Sequence, residues 1–184
     1  MWTAAILAGG TARRMGGQDK SALAVGARSI RERQLAVLRG LTPHILIIGR
    51  DGIPDRVPDR GALGGIYTAL LEAPTERVLI LAGDMPFVTA PFLAHLAAAG
   101  EDAAWDVVLP VDAAGRHPLC AMYRRRVAAL VKEHMDRGEL RVQDAVAGMS
   151  IRELGTAELS PFNRDGRLLT NVNTPEDYAR AQAR

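Results

Sequence analysis

The sequence predicts an α/β fold, a Rossmann-like three-layer sandwich with helices on both faces of a mostly parallel sheet. Short apolar runs alternate with longer helical segments along the chain, as in successive strand–helix units. One pair of apolar runs is joined by a short turn alone, which predicts that one antiparallel strand interrupts the sheet. With 184 residues, 48% of them hydrophobic, the chain is expected to form a single domain over residues 1–184.

The strand candidates are short runs of apolar residues bounded by turn residues. The strong candidates, in chain order, are residues 3–7, 44–48, 78–82 and 107–111. The weaker ones are residues 119–123, 150–153 and 168–171. Residues 112–116 form the turn that connects the fourth strong candidate to the first weak one, so we expect these two strands to be the antiparallel pair.

The helix candidates lie between these strands. They are residues 29–39, 63–72, 91–99, 127–137 and 175–183. Thr89 and Thr174 precede first turns that contain proline, a usual start signal. Gly40, Gly100 and Gly138 stand where the preceding helices are expected to stop.

Composition excludes several classes of protein. The 23 basic and 21 acidic residues are spread along the chain, so no basic stripe indicates binding to nucleic acid or to a membrane. No apolar run approaches the roughly 20 residues needed to span a bilayer. Cys120 is the single cysteine, which excludes an internal disulfide and a multi-cysteine zinc site. A reducing compartment fits this cysteine usage, and we expect a cytoplasmic location.

The first strand runs into a glycine-rich loop that ends at Lys20. Gly9 and Gly10 open it, and Arg14 and Lys20 add positive charge. Exposed backbone N–H groups together with cationic side chains suit a polyphosphate. The spacing matches neither the dinucleotide fingerprint nor a Walker A loop, because Asp19, not glycine, precedes Lys20. A flexible surface loop is the alternative, but the position after a buried strand favours an anion site.

Asp84 follows the third strong strand, in the run Gly-Asp-Met-Pro at residues 83–86. Parallel sheets place ligands beyond the carboxyl ends of their strands. Mg²⁺ usually takes one or two carboxylates and completes its shell with substrate phosphates, so we interpret Asp84 as a metal ligand. A turn or helix-capping role is the alternative.

Two further segments are candidates for ligand contacts. Asp59 precedes a helix start with three glycines, where it could accept hydrogen bonds from a base or ribose, although a solvated aspartate before a glycine turn is the more common arrangement. Asn171 and Asn173 alternate along a strand candidate and could present carbonyl oxygens to a metal or substrate. An Asx turn with a helix cap explains the same two asparagines.

Three motifs together resemble the molybdenum cofactor guanylyltransferase (MobA-like) family, in order and over nearly the whole chain. They are residues 7–20 (Leu-Ala-Gly-Gly-x-x-x-Arg-Met-Gly-Gly-x-Asp-Lys), residues 83–86 (Gly-Asp-Met-Pro) and residues 171–176 (Asn-Val-Asn-Thr-Pro-Glu). The double glycine resembles the guanylyl-transferring branch, whereas the cytidylyltransferases typically have Leu-Ala-Ala-Gly. The resemblance implies the nucleotide-diphospho-sugar transferase type of sheet.

The resemblance also implies a reaction, transfer of GMP from GTP to molybdopterin carrying molybdenum, with release of diphosphate. On the nucleotide side it implies contacts from Leu7, Ala8, Gly9, Gly10 and Asp59 to the nucleotide, and from Lys20 to its phosphates. Asp84 would hold Mg²⁺ and act in catalysis with Lys20 and Arg14. Asn171 and Asn173 would lie on the molybdopterin side or near the metal, and His117 would lie on the molybdopterin side. Transient contacts with molybdenum-insertion proteins or molybdoenzymes would follow.

Three other functions remain open at this point. A molybdopterin cytidylyltransferase or a sugar-phosphate nucleotidyltransferase would use the same chemistry on other substrates. A non-catalytic GTP-binding module of cofactor biosynthesis would keep the fold alone. Substrate assays distinguish all three from the guanylyltransferase.

Overall fold

The computed structural model describes residues 1–8 and 23–182. In chain order the strands are β1 (Thr3–Ala8), β2 (Ala24–Val25), β3 (Arg28–Ser29), β4 (His44–Gly49), β5 (Arg77–Ala82), β6 (Val107–Asp112), β7 (Gly115–Arg116), β8 (Cys120–Arg124) and β9 (Ile151–Leu154). The helices are α1 (Ile30–Arg39), α2 (Gly61–Glu72), α3 (Ala90–Ala99), α4 (Ala128–Asp136), α5 (Val142–Ala147), α6 (Thr156–Leu159) and α7 (Pro175–Gln182), with a 3₁₀ turn at Arg125–Val127 before α4.

The central sheet follows the order β4–β1–β5–β8–β6, with β9 and the short β7 also paired to β6. Strands β4, β1 and β5 are parallel neighbours, and β9 is parallel to β6. β8 is antiparallel to both β5 and β6, so it is the antiparallel strand expected after the turn at residues 112–116. The predicted mostly parallel sheet with one interrupting strand is confirmed, and β7 adds a two-residue antiparallel pair at the end of β6.

Helices cover both faces of the sheet, because alternate strand residues belong to two different apolar clusters. Ile6 and Leu81 pack on one face with residues of α1 and α3, such as Leu38 and Phe92. Leu7 and its neighbours pack on the other face with α2, α4 and α5. Every residue of β1 is buried, as expected for a central strand covered twice. The three-layer arrangement predicted from the sequence is therefore present.

Residues 168–171 do not form the predicted strand. Leu168 and Leu169 are buried in the core, which explains the apolar signal. Their backbone, however, follows local turns: the Leu168 N–H bonds to Oδ1 of Asn163 at 3.0 Å, and the Thr170 N–H bonds to the Arg167 carbonyl at 3.0 Å. The segment has the apolar composition of a strand because its leucines are buried in the core, but it does not pair with a strand of the sheet.

The start of α1 is fixed by hydrogen bonds of the first helical turn. Ser29 is the N-cap of α1, its hydroxyl accepts from the Glu32 N–H, and the Glu32 carboxylate accepts from the Ser29 N–H. This reciprocal pair is a capping box.

The C-terminal helix α7 packs on the β2–β3 hairpin: Oη of Tyr178 and Nε2 of Gln182 both donate to the Ala24 carbonyl, at 2.7 and 2.6 Å.

Within residues 1–8 and 23–182, none of the helices has the length and apolar character required to cross a bilayer.

Candidate functional site

The candidate site lies at the carboxyl edge of the sheet, where a short turn after β5 connects three segments. The Gly83 N–H donates to the Leu7 carbonyl at 3.1 Å, which ties this turn to the end of β1. The Val172 N–H donates to the Asp84 carbonyl at 2.8 Å, which ties it to the segment that contains Asn171 and Asn173. The structure thus brings Leu7, Asp84 and the two asparagines to one place, although they are far apart in the sequence.

The same turn is also held from inside the protein. Nε2 of Gln34, on α1, donates to the carbonyls of Ala82 and Met85 at 2.7 and 3.1 Å. The Ala82 N–H donates to the Leu119 carbonyl at 2.7 Å. Asp84 itself is partly exposed, while its Oδ1 atom is buried. The carboxylate therefore stands on a backbone that is fixed from several directions.

The Asp84 carboxylate suits a hard cation that completes its coordination shell with substrate oxygens. No group of three or more His, Cys, Asp or Glu side chains that could hold a metal occurs in the described part of the chain. A transition-metal site built from protein ligands alone is thus missing there. One carboxylate with phosphate oxygens and water is the arrangement that Mg²⁺ commonly takes in nucleotide-dependent enzymes, and Asp84 can provide that carboxylate.

The start of α2 lies against the end of β1. A Cβ added to Gly65 would be 3.3 Å from Cδ2 of Leu7, so the helix and this side chain are already in close contact. The first turn of α2 has no acidic residue, and its N-cap, Arg60, makes no side-chain cap. Backbone N–H groups at such a start are available to an anion.

Two carboxylates precede α2 and differ in environment. Asp59, the residue predicted from the sequence, is exposed and has a φ of +59°, which makes it a left-handed turn residue. Asp55 is partly buried; its Oδ2 would lie 3.9 Å from a Cβ at Gly64, and burial raises the pKa of its carboxyl. Sequence reasoning missed Asp55, because nothing in the acidic stretch 51–59 distinguishes one Asp from another without the burial pattern.

A cavity of about 250 Å³ borders the Gly83–Asp84 turn at Met85 and includes two of the predicted substrate-binding residues, His117 and Asn171. The remaining lining residues are Met85, Arg116, Pro118, Leu119, Cys120, Val142 and Gln143. Sequence reasoning missed Gln143 and Arg116. Gln143 lies on α5, a helix of 6 residues that is too short to give a periodic pattern.

Nε2 of His117 lies 2.8 Å from Oδ1 of Asp112 at the edge of this cavity. Burial acts to raise the pKa of Asp112, but the adjacent His117 imidazole and the hydrogen bond from the Ala114 N–H outweigh it, so the pKa is lowered overall. The Asp112 carboxylate is thus kept charged beside the imidazole. Cys120 is buried, and burial raises the pKa of its thiol to about 12, so it is a packing residue and not a nucleophile.

Asn173 is not part of the cavity lining. Its backbone N–H and that of Thr174 both donate to Oδ2 of Asp177, at 3.1 and 3.0 Å. The Asp177 N–H in turn donates to Oγ1 of Thr174 at 3.1 Å, which completes the start of α7. The helix-cap interpretation of this segment is thus correct for the backbone around Asn173, while Asn171 faces the cavity.

Part of the predicted site falls in residues 9–22, which follow β1 in the sequence. Gly9, Gly10, Arg14 and Lys20 lie outside the described residues. Their assignments stay predictions. Leu7 and Ala8, the last residues of β1, are buried at the carboxyl edge of the sheet, where the nucleotide contacts were expected.

The carboxyl edge of this mostly parallel sheet carries a carboxylate, an uncapped glycine-rich helix start and a cavity. This is the architecture of a nucleotide-binding α/β enzyme. The comparisons with known proteins define the class further as a nucleotidyltransferase. Residues 4–150 match the model of the MobA-like NTP transferase domain. The chain belongs to this family.

Individual relatives agree with the family assignment. A probable molybdenum cofactor guanylyltransferase of Carboxydothermus hydrogenoformans is 32% identical over 96% of this chain and 92% of its own length. Among solved structures, a molybdopterin-guanine dinucleotide biosynthesis protein A from Archaeoglobus fulgidus has a TM-score of 0.84 and 25% identity, covering 99% of this chain and 97% of that one. A Mycobacterium tuberculosis protein solved in complex with manganese shares the fold with a TM-score of 0.70 at 22% identity, over 98% of this chain and 97% of that one.

Proposed function

We propose that this protein is a molybdenum cofactor guanylyltransferase, which transfers GMP from GTP to molybdopterin with Mg²⁺ as the metal. The observation that carries the proposal is the bonding of the Gly83–Asp84 turn. One hydrogen bond joins it to the end of β1, and another joins it to the segment beside the cavity. A carboxylate on a turn that is bonded to the end of β1 and to the segment beside the cavity suits a reaction between two phosphate-bearing substrates, a nucleotide and an acceptor.

On the nucleotide side, the start of α2 and the loop after β1 would receive GTP. Arg14 and Lys20 would neutralise its phosphates, and Leu7, Ala8, Gly9 and Gly10 would contact the nucleoside. Guanine presents an N1–H and an N2 amino group that one carboxylate can accept together. Asp55 is added here to Asp59 as a candidate for that contact, because a partly buried carboxylate discriminates between bases better than an exposed one.

On the acceptor side, molybdopterin would occupy the cavity beside Asp84. His117 and Asn171 offer polar contacts there, with Asn173 close by in the chain. An oxygen of the terminal phosphate of molybdopterin would form a bond to the α-phosphorus of GTP, and the bond from that phosphorus to the diphosphate would break. When bound at Asp84, Mg²⁺ supplies positive charge for the phosphates.

The protein's own contribution is alignment and charge. Both substrates are anionic, so holding them in line with cationic side chains and backbone N–H groups lowers the barrier without a covalent enzyme intermediate. Lys20 suits this role as a compact point charge. We also propose that residues 1–184 act as one domain and that the protein works in the cytoplasm, with which its single free thiol is compatible.

The direct test is diphosphate release by the purified protein with molybdopterin and GTP, CTP or ATP in turn. Of the three nucleotides, we expect only GTP to give turnover with molybdopterin. A preference for CTP would indicate a cytidylyltransferase, and turnover with sugar phosphates but not molybdopterin would indicate a sugar-phosphate enzyme. Tight GTP binding with no product from any acceptor would instead indicate a binding module.

A further inference from the structure

The buried amide of Gln34 holds both sides of the turn that carries Asp84. Gln34 is 1% exposed on α1. Its Nε2 atom donates to the Ala82 carbonyl at 2.7 Å and to the Met85 carbonyl at 3.1 Å. These two carbonyls flank Gly83 and Asp84, so one amide group spans the turn. Its two N–H donors match the two acceptors, which also fixes the orientation of the amide.

The other end of the amide shows that this arrangement has a cost. Oε1 of Gln34 is buried and has no hydrogen-bond partner among the described residues. An orphaned buried acceptor is unfavourable, and an apolar side chain of similar size would avoid it. Gln34 is therefore better explained by its two donor bonds than by packing.

We propose that Gln34 is a positioning residue, which sets the place of the Asp84 carboxylate for the metal–nucleotide complex. This inference rests on the proposed function. The Gly83–Asp84 turn is already bonded to β1 and to Val172 on its outer sides. Gln34 adds the inner connection, from α1, and thereby limits how far the turn can move toward or away from bound phosphates. Groups that orient a metal-binding carboxylate commonly matter about ten- to hundredfold in affinity or activity.

The deciding experiment compares Gln34→Met with a matched control. Methionine has nearly the same length and removes both donors. Thr42→Val is the control, because Oγ1 of the buried Thr42 also makes two hydrogen bonds, donating to the Trp2 carbonyl at 2.6 Å and accepting from the His44 N–H at 3.3 Å. Thr42 lies at the amino edge of the sheet, opposite Asp84. Thr42→Val should therefore lose stability as Gln34→Met does, but without disturbing the turn that carries Asp84.

The measurement is Mn²⁺ binding by electron paramagnetic resonance, with GTP present and no acceptor. We expect Gln34→Met to weaken Mn²⁺ binding about tenfold. Thr42→Val should bind like the parent protein, within about twofold, even where both variants lose similar thermal stability. Raising the metal concentration should restore turnover in Gln34→Met and leave the control unchanged.

A second variant guards against misfolding. Gln34→Glu keeps the shape, and its buried carboxyl should be protonated because an ionised carboxylate would face two carbonyl oxygens; it then has one donor instead of two, so we expect about threefold weaker Mn²⁺ binding. Parent-like binding in a folded Gln34→Met, or in Gln34→Glu if the methionine variant fails to fold, would overturn the inference. Failure of the parent itself to bind Mn²⁺ with GTP would instead refute the proposed function.

Discussion

Replacing Gly65 by alanine tests whether α2 and Leu7 form one wall of the nucleotide site. The new methyl group would lie 3.3, 3.5 and 3.8 Å from Cδ2, Cδ1 and Cγ of Leu7. The first of these distances is shorter than an ordinary carbon contact, so the Leu7 side chain must move by a few tenths of an ångström. Gly65 lies inside α2 with ordinary helical φ, so alanine introduces no backbone strain.

The expected change in stability is small because two effects oppose each other. Alanine in place of glycine within a helix contributes about 1 kcal/mol of stability. Overpacking a well-filled contact costs about 1–3 kcal/mol. The free energy of unfolding should therefore fall by about 0–2 kcal/mol, which corresponds to a drop in Tm of a few degrees at this chain length.

The nucleotide should report the displacement more clearly than stability does. Losing about 1 kcal/mol of contact with GTP raises the KM for GTP about fivefold, and kcat should stay within about twofold of the parent. The control is Gly148→Ala, where a Cβ would meet nothing within 4 Å and φ is −87°. A parent-like KM for GTP in a folded Gly65→Ala protein would show that Leu7 does not contact the nucleotide.

Further expectations concern charge. Asp84→Asn should fold normally, because the hydrogen bonds that join the turn to β1 and to Val172 are made by backbone atoms, and it should lower kcat about 10²-fold or more, measured as diphosphate release. Asp136→Asn, which removes an exposed partner of Lys132, is the control, and equal turnover in both would remove Asp84 from the mechanism. Lys20→Ala should lower kcat by a similar factor, and near-normal turnover would contradict its assignment to the phosphates. Burial raises the pKa of Asp106, but its hydrogen bonds from the Ser150 N–H and Arg126 lower it overall. A carboxyl whose pKa is depressed in the folded state stabilises the fold at pH values above its unfolded-state pKa, and this stabilisation is lost as the pH falls. In urea unfolding, the parent should therefore lose more stability than Asp106→Asn as the pH falls below about 4. Parallel plots of stability against pH for the two proteins would disprove this linkage.

The sheet was predictable because each strand carries a local signal. The runs that became β1 and β5 are apolar on both faces, and that is what a parallel strand covered by helices on both sides requires. The short turn before β8 was enough to predict the antiparallel strand. The failure at residues 168–171 has the opposite cause, since their burial comes from core contacts while their backbone bonds are local.

The site was predictable only where a motif marked it. Asp84 follows the end of β5 by two residues, Asn171 belongs to a pair of alternating asparagines, and His117 came from the family resemblance. The structure places Asp84 in the turn that joins the strand end to the cavity segment, and the other two in the cavity lining. Asp55 and Gln34 could not have been found in this way. Their distinguishing properties are partial burial and hydrogen bonds to residues distant in the chain, and neither leaves a pattern in the local sequence.

The packing of α7 on the β2–β3 hairpin has a consequence for the order of folding during synthesis. Tyr178 and Ala24 are 154 positions apart, and Gln182 and Ala24 are 158 apart. Contacts of such long range close late, after the shorter-range units have formed. The nascent chain can therefore assemble β1, β4 and β5 early, while the hairpin that follows the glycine-rich loop gains its partner only when the last helix has left the ribosome. A protein stalled or cut before residue 175 would keep most of its sheet but lack the helix that anchors this hairpin.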